Sequence, residues 1–319
     1  MSKAGDIYGM NNKLLKIGAD EITINLTKIF NFSISLGQFP DKLKVSMIIP
    51  IHKGDSKCTT SNYRPISLLP IIGKILEKIM FSRVYNFIQK TEIITKSQYG
   101  FQKDKSTEDA LMELHTKVID AFENKKVAYG IFLDFAKAFD TVNHEILLHK
   151  LEHYGIRGLS LSWFKSYLTD RQQCVNIDGT KSDFSTIKHG VPQGSILGPL
   201  LFLLYINDIV LSSKRLQFLL FADDTSIFAT GDSYSEVRTV LNDDLNNVSN
   251  WLKANKLSLN IKKSNALNFK NRTTPSKGTS EKKIEIKIDG NLIEEKEFVK
   301  YPGVIIDNKY SHHTSLANS

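Results

Sequence analysis

The chain has 319 residues, 41% of them apolar, and carries 42 Lys plus Arg against 34 Asp plus Glu, a formal charge of +8. That length and apolar share exclude a disordered segment and allow one large or two ordinary domains, and the basic excess suits a polyanion such as nucleic acid. The two cysteines, Cys58 and Cys174, lie far apart with no C-x-x-C and no His cluster beside them, which excludes a disulfide framework and a structural zinc and points to a reducing compartment.

The N-terminus, Met-Ser-Lys-Ala-Gly-Asp, lacks the apolar core of a signal peptide. Residues 11–38 carry apolar positions partly at helical spacing before Gly37 and Pro40 break the pattern, which predicts one or two helices. Residues 45–51 read as a strand, with Pro50 marking an edge or an end. The polar loop 52–62 contains Lys53 and Lys57 and leads to Arg64. It is a candidate anion site, Arg64 offering a bidentate fork for phosphate, or else a solvated loop. Residues 73–90 have the spacing of an amphipathic helix, with Lys74, Lys78 and Arg83 as its solvated stripe. Another helix, 106–122, opens on Ser106 or Thr107 as N-cap and lines up Leu111, Leu114, Val118 and Phe122.

Next comes a near-continuous apolar strand that ends in Asp134, where α/β architectures place functional side chains. The helix predicted over 142–154 stops at Gly155. Asp140 stands close enough to cap it, whereas Asp134 lies too far upstream. A helix at 160–168 leads to a hairpin with the Asp178-Gly179 turn. The stretch 190–199, Gly-Val-Pro-Gln-Gly-Ser-Ile-Leu-Gly-Pro, is a loop entering a strongly apolar helix that runs to about 210. Its glycines let a ligand or a second backbone approach. It is not a P-loop, because the Gly-Lys-Ser/Thr ending is absent. The longest apolar run, 196–206, is broken by Gly198 and Pro199 and is too short to span a bilayer. A soluble intracellular protein with no membrane partner is expected, in the nucleus and/or the cytoplasm.

The stretch 219–229, Leu-Leu-Phe-Ala-Asp-Asp-Thr-Ser-Ile-Phe-Ala, predicts a tight hairpin holding Asp223 and Asp224 at its tip. Adjacent carboxylates between apolar arms raise each other's pKa unless a cation offsets them. A solvated acidic turn is the alternative for the dipeptide alone. Beyond it, Ser233 and Glu236 suggest a capping box for a helix whose core face is Val237, Val240, Leu241, Leu245, Val248 and Leu252. A strand at 257–261 then meets Lys262-Lys263, followed by a polar loop at 270–282, a strand at 284–288 with an Asp289-Gly290 turn, and a last strand region at 298–306. The tail, with His312 and His313, carries no signal. No internal repeat and no long linker divide the chain.

If the strands bearing Asp134 and Asp223 are neighbours, three carboxylates converge without His or Cys. That donor set suits Mg²⁺ or Mn²⁺, and a pair of such ions is the usual device for in-line phosphoryl transfer, hence nucleotidyl transfer.

Seven motifs occur in order: Ile-Pro-Ile-His-Lys-Gly-Asp, Asn-Tyr-Arg-Pro-Ile-Ser-Leu-Leu-Pro, Gln-Tyr-Gly-Phe, Leu-Asp-Phe-Ala-Lys-Ala-Phe-Asp, Gly-Val-Pro-Gln-Gly-Ser-Ile-Leu-Gly-Pro, Phe-Ala-Asp-Asp and Leu-Ser-Leu-Asn-Ile-Lys-Lys-Ser. Together, over about 40–306, they resemble the reverse transcriptase domain of non-LTR (LINE-type, jockey-like) retrotransposons. The resemblance implies an α+β right-hand polymerase whose palm is an antiparallel sheet backed by helices. It implies fingers at 41–125 and 150–190, a palm at 126–149 and 191–310, a helical leader at 1–40 and a tail at 311–319. Asp134, Asp223 and Asp224 would hold two Mg²⁺ ions (or Mn²⁺), with the Phe135 carbonyl as a further ligand. Phe139 would exclude a ribose 2′-hydroxyl, Gln193 and Gly194 would border the new base pair, Arg64 would hold the triphosphate, and Lys263 would protonate the departing pyrophosphate. The partners implied are an RNA template, a DNA primer and dNTPs; oligomeric state is left open.

Departures from the family pattern set a second expectation beside the first. The chain leaves no room for a full thumb or an endonuclease, and Lys300-Tyr-Pro-Gly-Val stands where the family has Tyr-Leu-Gly-Val. There Pro302 would remove a backbone donor from a strand, predicting weak processivity. The alternative is a truncated, catalytically weak or silent remnant that only binds nucleic acid.

Overall fold

The computed structural model describes residues 5–54, 56–270 and 284–309. The loop expected over 270–282, beyond Lys270, and the tail with His312 and His313 lie outside the described residues. The chain forms two compact units, one from residues up to Ile93 together with Phe139–Tyr205, the other from Ile94–Ala138 together with residues from Ile206 onward. Among the described residues no helix is long and apolar enough to cross a membrane.

In the first unit the leader splits into helices Asn12–Ile17 and Ala19–Leu36, closed by Gly37 at a left-handed φ of 65°. Its sheet places Val45–His52 between Tyr63–Leu68, antiparallel, and Arg171–Ile177, parallel. Pro50 fits because the pairing with Arg171–Ile177 stops at Ile48, so Pro50 needs no donor on that side, and it faces Pro65 on the other. The Asp178-Gly179 turn forms with positive φ at both residues. The core gathers Phe39, Trp163 and Tyr167, with the two larger rings stacked at 5.7 Å and Phe39 edge-on to both. Arg171, 1% exposed, lies over the Phe39 and Tyr167 rings.

The buried Glu77, on helix Ile71–Lys90, accepts the amides of Ile196 (2.7 Å) and Leu197 (3.3 Å), and so caps helix Leu197–Ile206. Burial raises its carboxyl pKa, and Arg171 opposes that rise.

The second unit is built on a five-stranded sheet in the order Glu294–Glu295, Asn265–Phe269, Val127–Leu133, Asp224–Gly231, Gln217–Phe221. Every pairing is antiparallel except that of the short Glu294–Glu295 edge. Val127–Leu133 is central and covered on both faces, which accounts for its unbroken apolar run. Ala128 and Phe132 join Ala110, Leu114, Val118 and Ala121 of helix Thr107–Glu123 in one cluster. Tyr129, of opposite parity, meets the ring of Tyr234 at the start of helix Tyr234–Ala254. Both helices start as their sequences suggest: Ser106 and Asp109 form a full capping box, and Ser233 accepts the Glu236 amide. Glu236 returns its own bond one residue earlier than expected, to the Asp232 amide.

Three expectations are corrected. Helix 142–154 begins at His144 and is capped by Asn143, not by Asp140. Residues 257–261 do not form a strand: a single bridge at Leu259 is followed by a turn at 261–263. Pro302 is not inside a strand. Tyr301 pairs directly with Val304, so Pro302-Gly303 is a two-residue turn, with the fixed proline φ first and a glycine at φ 81° second. The proline therefore removes no ladder bond, and the weak grip expected from it has no basis in this hairpin.

Candidate active site

The second unit brings Asp134, Asp223 and Asp224 to one end of its sheet. Leu133 pairs with Thr225, so one further step along the same antiparallel register sets Asp134 opposite Asp224. Phe221 pairs with Asp224, which leaves Ala222-Asp223 as a two-residue loop. Asp223 thus sits on the tip and Asp224 begins the returning strand. The backbone pays for so tight a turn at Ala222, which holds a φ of 57° without being glycine.

The electrostatics agree with the register. Asp224 has its pKa pushed up to about 6, first by desolvation, then by the charges of Asp223 and Asp134, with Lys300 pulling the other way. Its surface remains open to solvent, so the desolvation is partial and comes from surrounding protein rather than from enclosure. Among the described residues, no group of three or more His, Cys, Asp and Glu side chains is gathered closely enough to be a ready-made metal cage. The donor set itself, three carboxylates with no nitrogen or sulfur ligand, matches a hard divalent cation.

Asp134 is held from behind by a stretch the sequence presented only as a strand. Its amide donates to Ser264 Oγ at 3.1 Å, and its carbonyl accepts the Asn260 amide at 2.8 Å. Ser264 is fully buried, and its hydroxyl donates a hydrogen bond to the Asn260 carbonyl at 3.1 Å. Phe135 forms a bridge with Leu259 whose two bonds use the Asp134 carbonyl and the Ala136 amide, so the Phe135 carbonyl takes no part in it. Lys263 lies in the same turn, its amide donating to the Asn260 carbonyl and its side chain exposed.

Behind the hairpin, residues 97–100 run parallel to Gln217–Phe221, with Leu220 donating to the Ser97 carbonyl and Tyr99 donating to the Leu220 carbonyl. Gln98 is 1% exposed, and its Oε1 accepts both the Gly100 amide (2.8 Å) and the Ala222 amide (3.1 Å). A Cβ on Gly100 would stand 2.3 Å from the Ala222 nitrogen. The Gln-Tyr-Gly-Phe motif was legible as a motif, but nothing in it revealed that its glutamine reaches the Asp-Asp turn.

The other predicted residues belong to the first unit. Arg64 is exposed on Tyr63–Leu68, paired across from Ile51. Phe139 stacks on Phe202 with ring centroids 4.7 Å apart. Gln193 donates to Asp140 Oδ1 at 3.0 Å, and its carbonyl accepts the Ser67 amide at 2.8 Å. The glycines of this loop admit backbone: a Cβ on Gly190 would lie 2.7 Å from the Asp140 carbonyl oxygen, and one on Gly194 2.8 Å from that of Ser67.

The fold is that of the right-hand polymerases. A solved structure of apo telomerase from Candida Tropicalis, truncated from the C-terminal domain, superposes with a TM-score of 0.55 at 16% identity, over 86% of this chain and 54% of that one. The family model described as reverse transcriptase (RNA-dependent DNA polymerase) matches residues 51–306, and the chain belongs to that family. It is similar to the RNA-directed DNA polymerase from mobile element jockey of Drosophila melanogaster, 32% identical over 97% of this chain and 34% of the relative. The jockey polymerase of Drosophila funebris is 30% identical over the same shares, and the probable RNA-directed DNA polymerase from transposon BS of Drosophila melanogaster is 27% identical. The chain thus spans about a third of the length of these relatives.

Proposed function

We propose that this chain is the polymerising part of a non-LTR retrotransposon reverse transcriptase, which extends a DNA primer 3′-hydroxyl with dNTPs on an RNA template. The observation that carries the reading is the register placing Asp134 across from Asp224, beside the Asp223 tip, in a chain of this family. Asp134, Asp223 and Asp224, with the Phe135 carbonyl, would hold Mg²⁺, two ions in the usual case and Mn²⁺ as a substitute. Bound there, the cations would acidify the primer hydroxyl and offset charge on the reacting phosphates.

The protein's own residues do the rest. Ser264 and Asn260 fix the backbone of Asp134, and the turn they close carries Lys263, whose exposed ammonium is assigned to protonating the leaving pyrophosphate. Arg64 is assigned to the triphosphate, Phe139 to exclusion of the 2′-hydroxyl, and Gln193 with Gly194 to the new base pair, each from its motif position. The sheet unit would act as the palm, and the positive charge would favour sequence-independent backbone contacts. The expected setting is intracellular, nuclear and/or cytoplasmic, without a membrane partner.

Primer extension on an RNA template with Mg²⁺ and dNTPs tests this. The natural protein should extend, and Asp223→Asn should reduce the rate by about a thousandfold or more, as for loss of a metal ligand. No extension by either protein would instead favour the silent remnant.

A further inference from the structure

We infer that Gln98 is a positioning residue of the Asp-Asp hairpin, its side-chain oxygen holding the strained Ala222-Asp223 turn in the shape that presents Asp223. The inference rests on the polymerase reading for its functional half only.

Ala222 sits at a φ of 57°, a region that a residue with a Cβ rarely adopts, and the loop has only one other residue to absorb that strain. Such a conformation persists where its surroundings over-determine it. Here a buried carboxamide supplies the hydrogen bond to that residue from outside the hairpin. Gln98 Oε1 accepts from Ala222 inside the loop and from Gly100 on its own segment, tying the two together. The two donated amides also fix the orientation of the carboxamide, since the nitrogen end can accept from neither. Gln98 Nε2 is buried and has no hydrogen-bond partner among the described residues, so the carboxamide makes its bonds through its oxygen. The segment bearing it is itself pinned. The Gln98 carbonyl accepts from Lys105 Nζ at 2.7 Å and from Gln102 Nε2, and Lys105 covers the Tyr99 ring at 4.6 Å. Gly100 completes the device, because any side chain there would strike the Ala222 amide.

Three variants separate this role from simple core packing. Gln98→Met keeps volume and loses the acceptor, Gln98→Glu keeps an acceptor oxygen once its buried carboxyl is protonated, as at pH 5, and Gly100→Ala pushes on the turn directly. The first reading is amide hydrogen exchange of peptides covering 219–225, compared with 127–133 in the neighbouring strand; it needs no metal, nucleotide or activity. In Gln98→Met and Gly100→Ala, exchange at 219–225 should accelerate about tenfold while 127–133 stays unchanged, and Gln98→Glu should return it toward the natural rate at pH 5, where a buried carboxyl is protonated. The second reading is primer extension, where Gln98→Met should lower kcat about 10–100-fold with the dNTP KM within twofold. Natural exchange at 219–225 in Gln98→Met overturns the inference. So does equal acceleration in both peptides, which would mean general loosening, or exchange at 219–225 in Gln98→Glu as fast at pH 5 as in Gln98→Met. A natural protein that fails to extend primers removes the polymerase reading but leaves the exchange result to decide the positioning role.

Discussion

Of the hairpins in the sheet unit that close on two-residue loops, two are built by opposite means. The hairpin of Phe298–Tyr301 and Val304–Asp307 turns on Pro302-Gly303, where both residues adopt the required angles unaided. The hairpin of Gln217–Phe221 and Asp224–Gly231 turns on Ala222-Asp223, where alanine is forced to a positive φ and an outside side chain holds it there. One turn is specified by its own residues and the other by its neighbourhood. The second is also the one that carries charge. Strain and repulsion are concentrated where the chemistry is proposed, while the self-sufficient hairpin contributes Lys300, whose charge counters that of Asp224.

The contrast can be broken from either side. Gly303→Ala should have the largest effect of three stability variants. The added Cβ meets nothing nearby, but φ is 81°, so the loss should be about 1–2 kcal/mol, read as a drop of about 2–6 °C in melting temperature. A neutral result would mean the turn is not self-specified.

Asp224→Asn should do the reverse and raise the melting temperature without divalent cation. The pKa of Asp224 is raised to about 6, so the folded state holds this proton more tightly than the unfolded chain. The ionised carboxylate therefore costs stability above that pH, and the cost fades as pH falls from about 6 toward the ordinary carboxylate range. Solvent screening at this exposed group limits the gain, to about 1–3 °C at pH 7.5. It should disappear near pH 4, and a gain that persisted there would contradict the repulsion account. Pro302→Ala should change least, losing about 0.4–1 kcal/mol through added freedom of the unfolded chain. A larger loss would show that the proline does more than preset the turn.

Much of this was legible locally. The helix from Ser233 follows from its cap and from its apolar stripe, of which Val237, Leu241, Leu245, Val248 and Leu252 are buried and Val240 is half-buried. The Asp178-Gly179 and Asp289-Gly290 turns follow from residues that tolerate positive φ. The convergence of the carboxylates was a matter of which strands are neighbours, and the motif order supplied it. What the sequence hid were contacts between distant segments. The run 257–261 alternates like a strand, yet its backbone is used to clamp Asp134 and it forms only one bridge. Pro302 looked damaging because strand limits near a two-residue turn depend on pairing that no local pattern encodes. Gln98 carried no signal because its partner lies more than a hundred residues away, at a backbone amide that any residue other than proline would present.

The central claim is that the carboxylates of Asp134 and of the Asp223-Asp224 turn serve common cations, and titration with Mn²⁺ followed by electron paramagnetic resonance tests it most directly. The account predicts saturable binding by the natural protein, weakened at least about tenfold by Asp134→Asn and by Asp223→Asn alike, since each removes a ligand from one site. Unchanged Mn²⁺ affinity in either variant would contradict it.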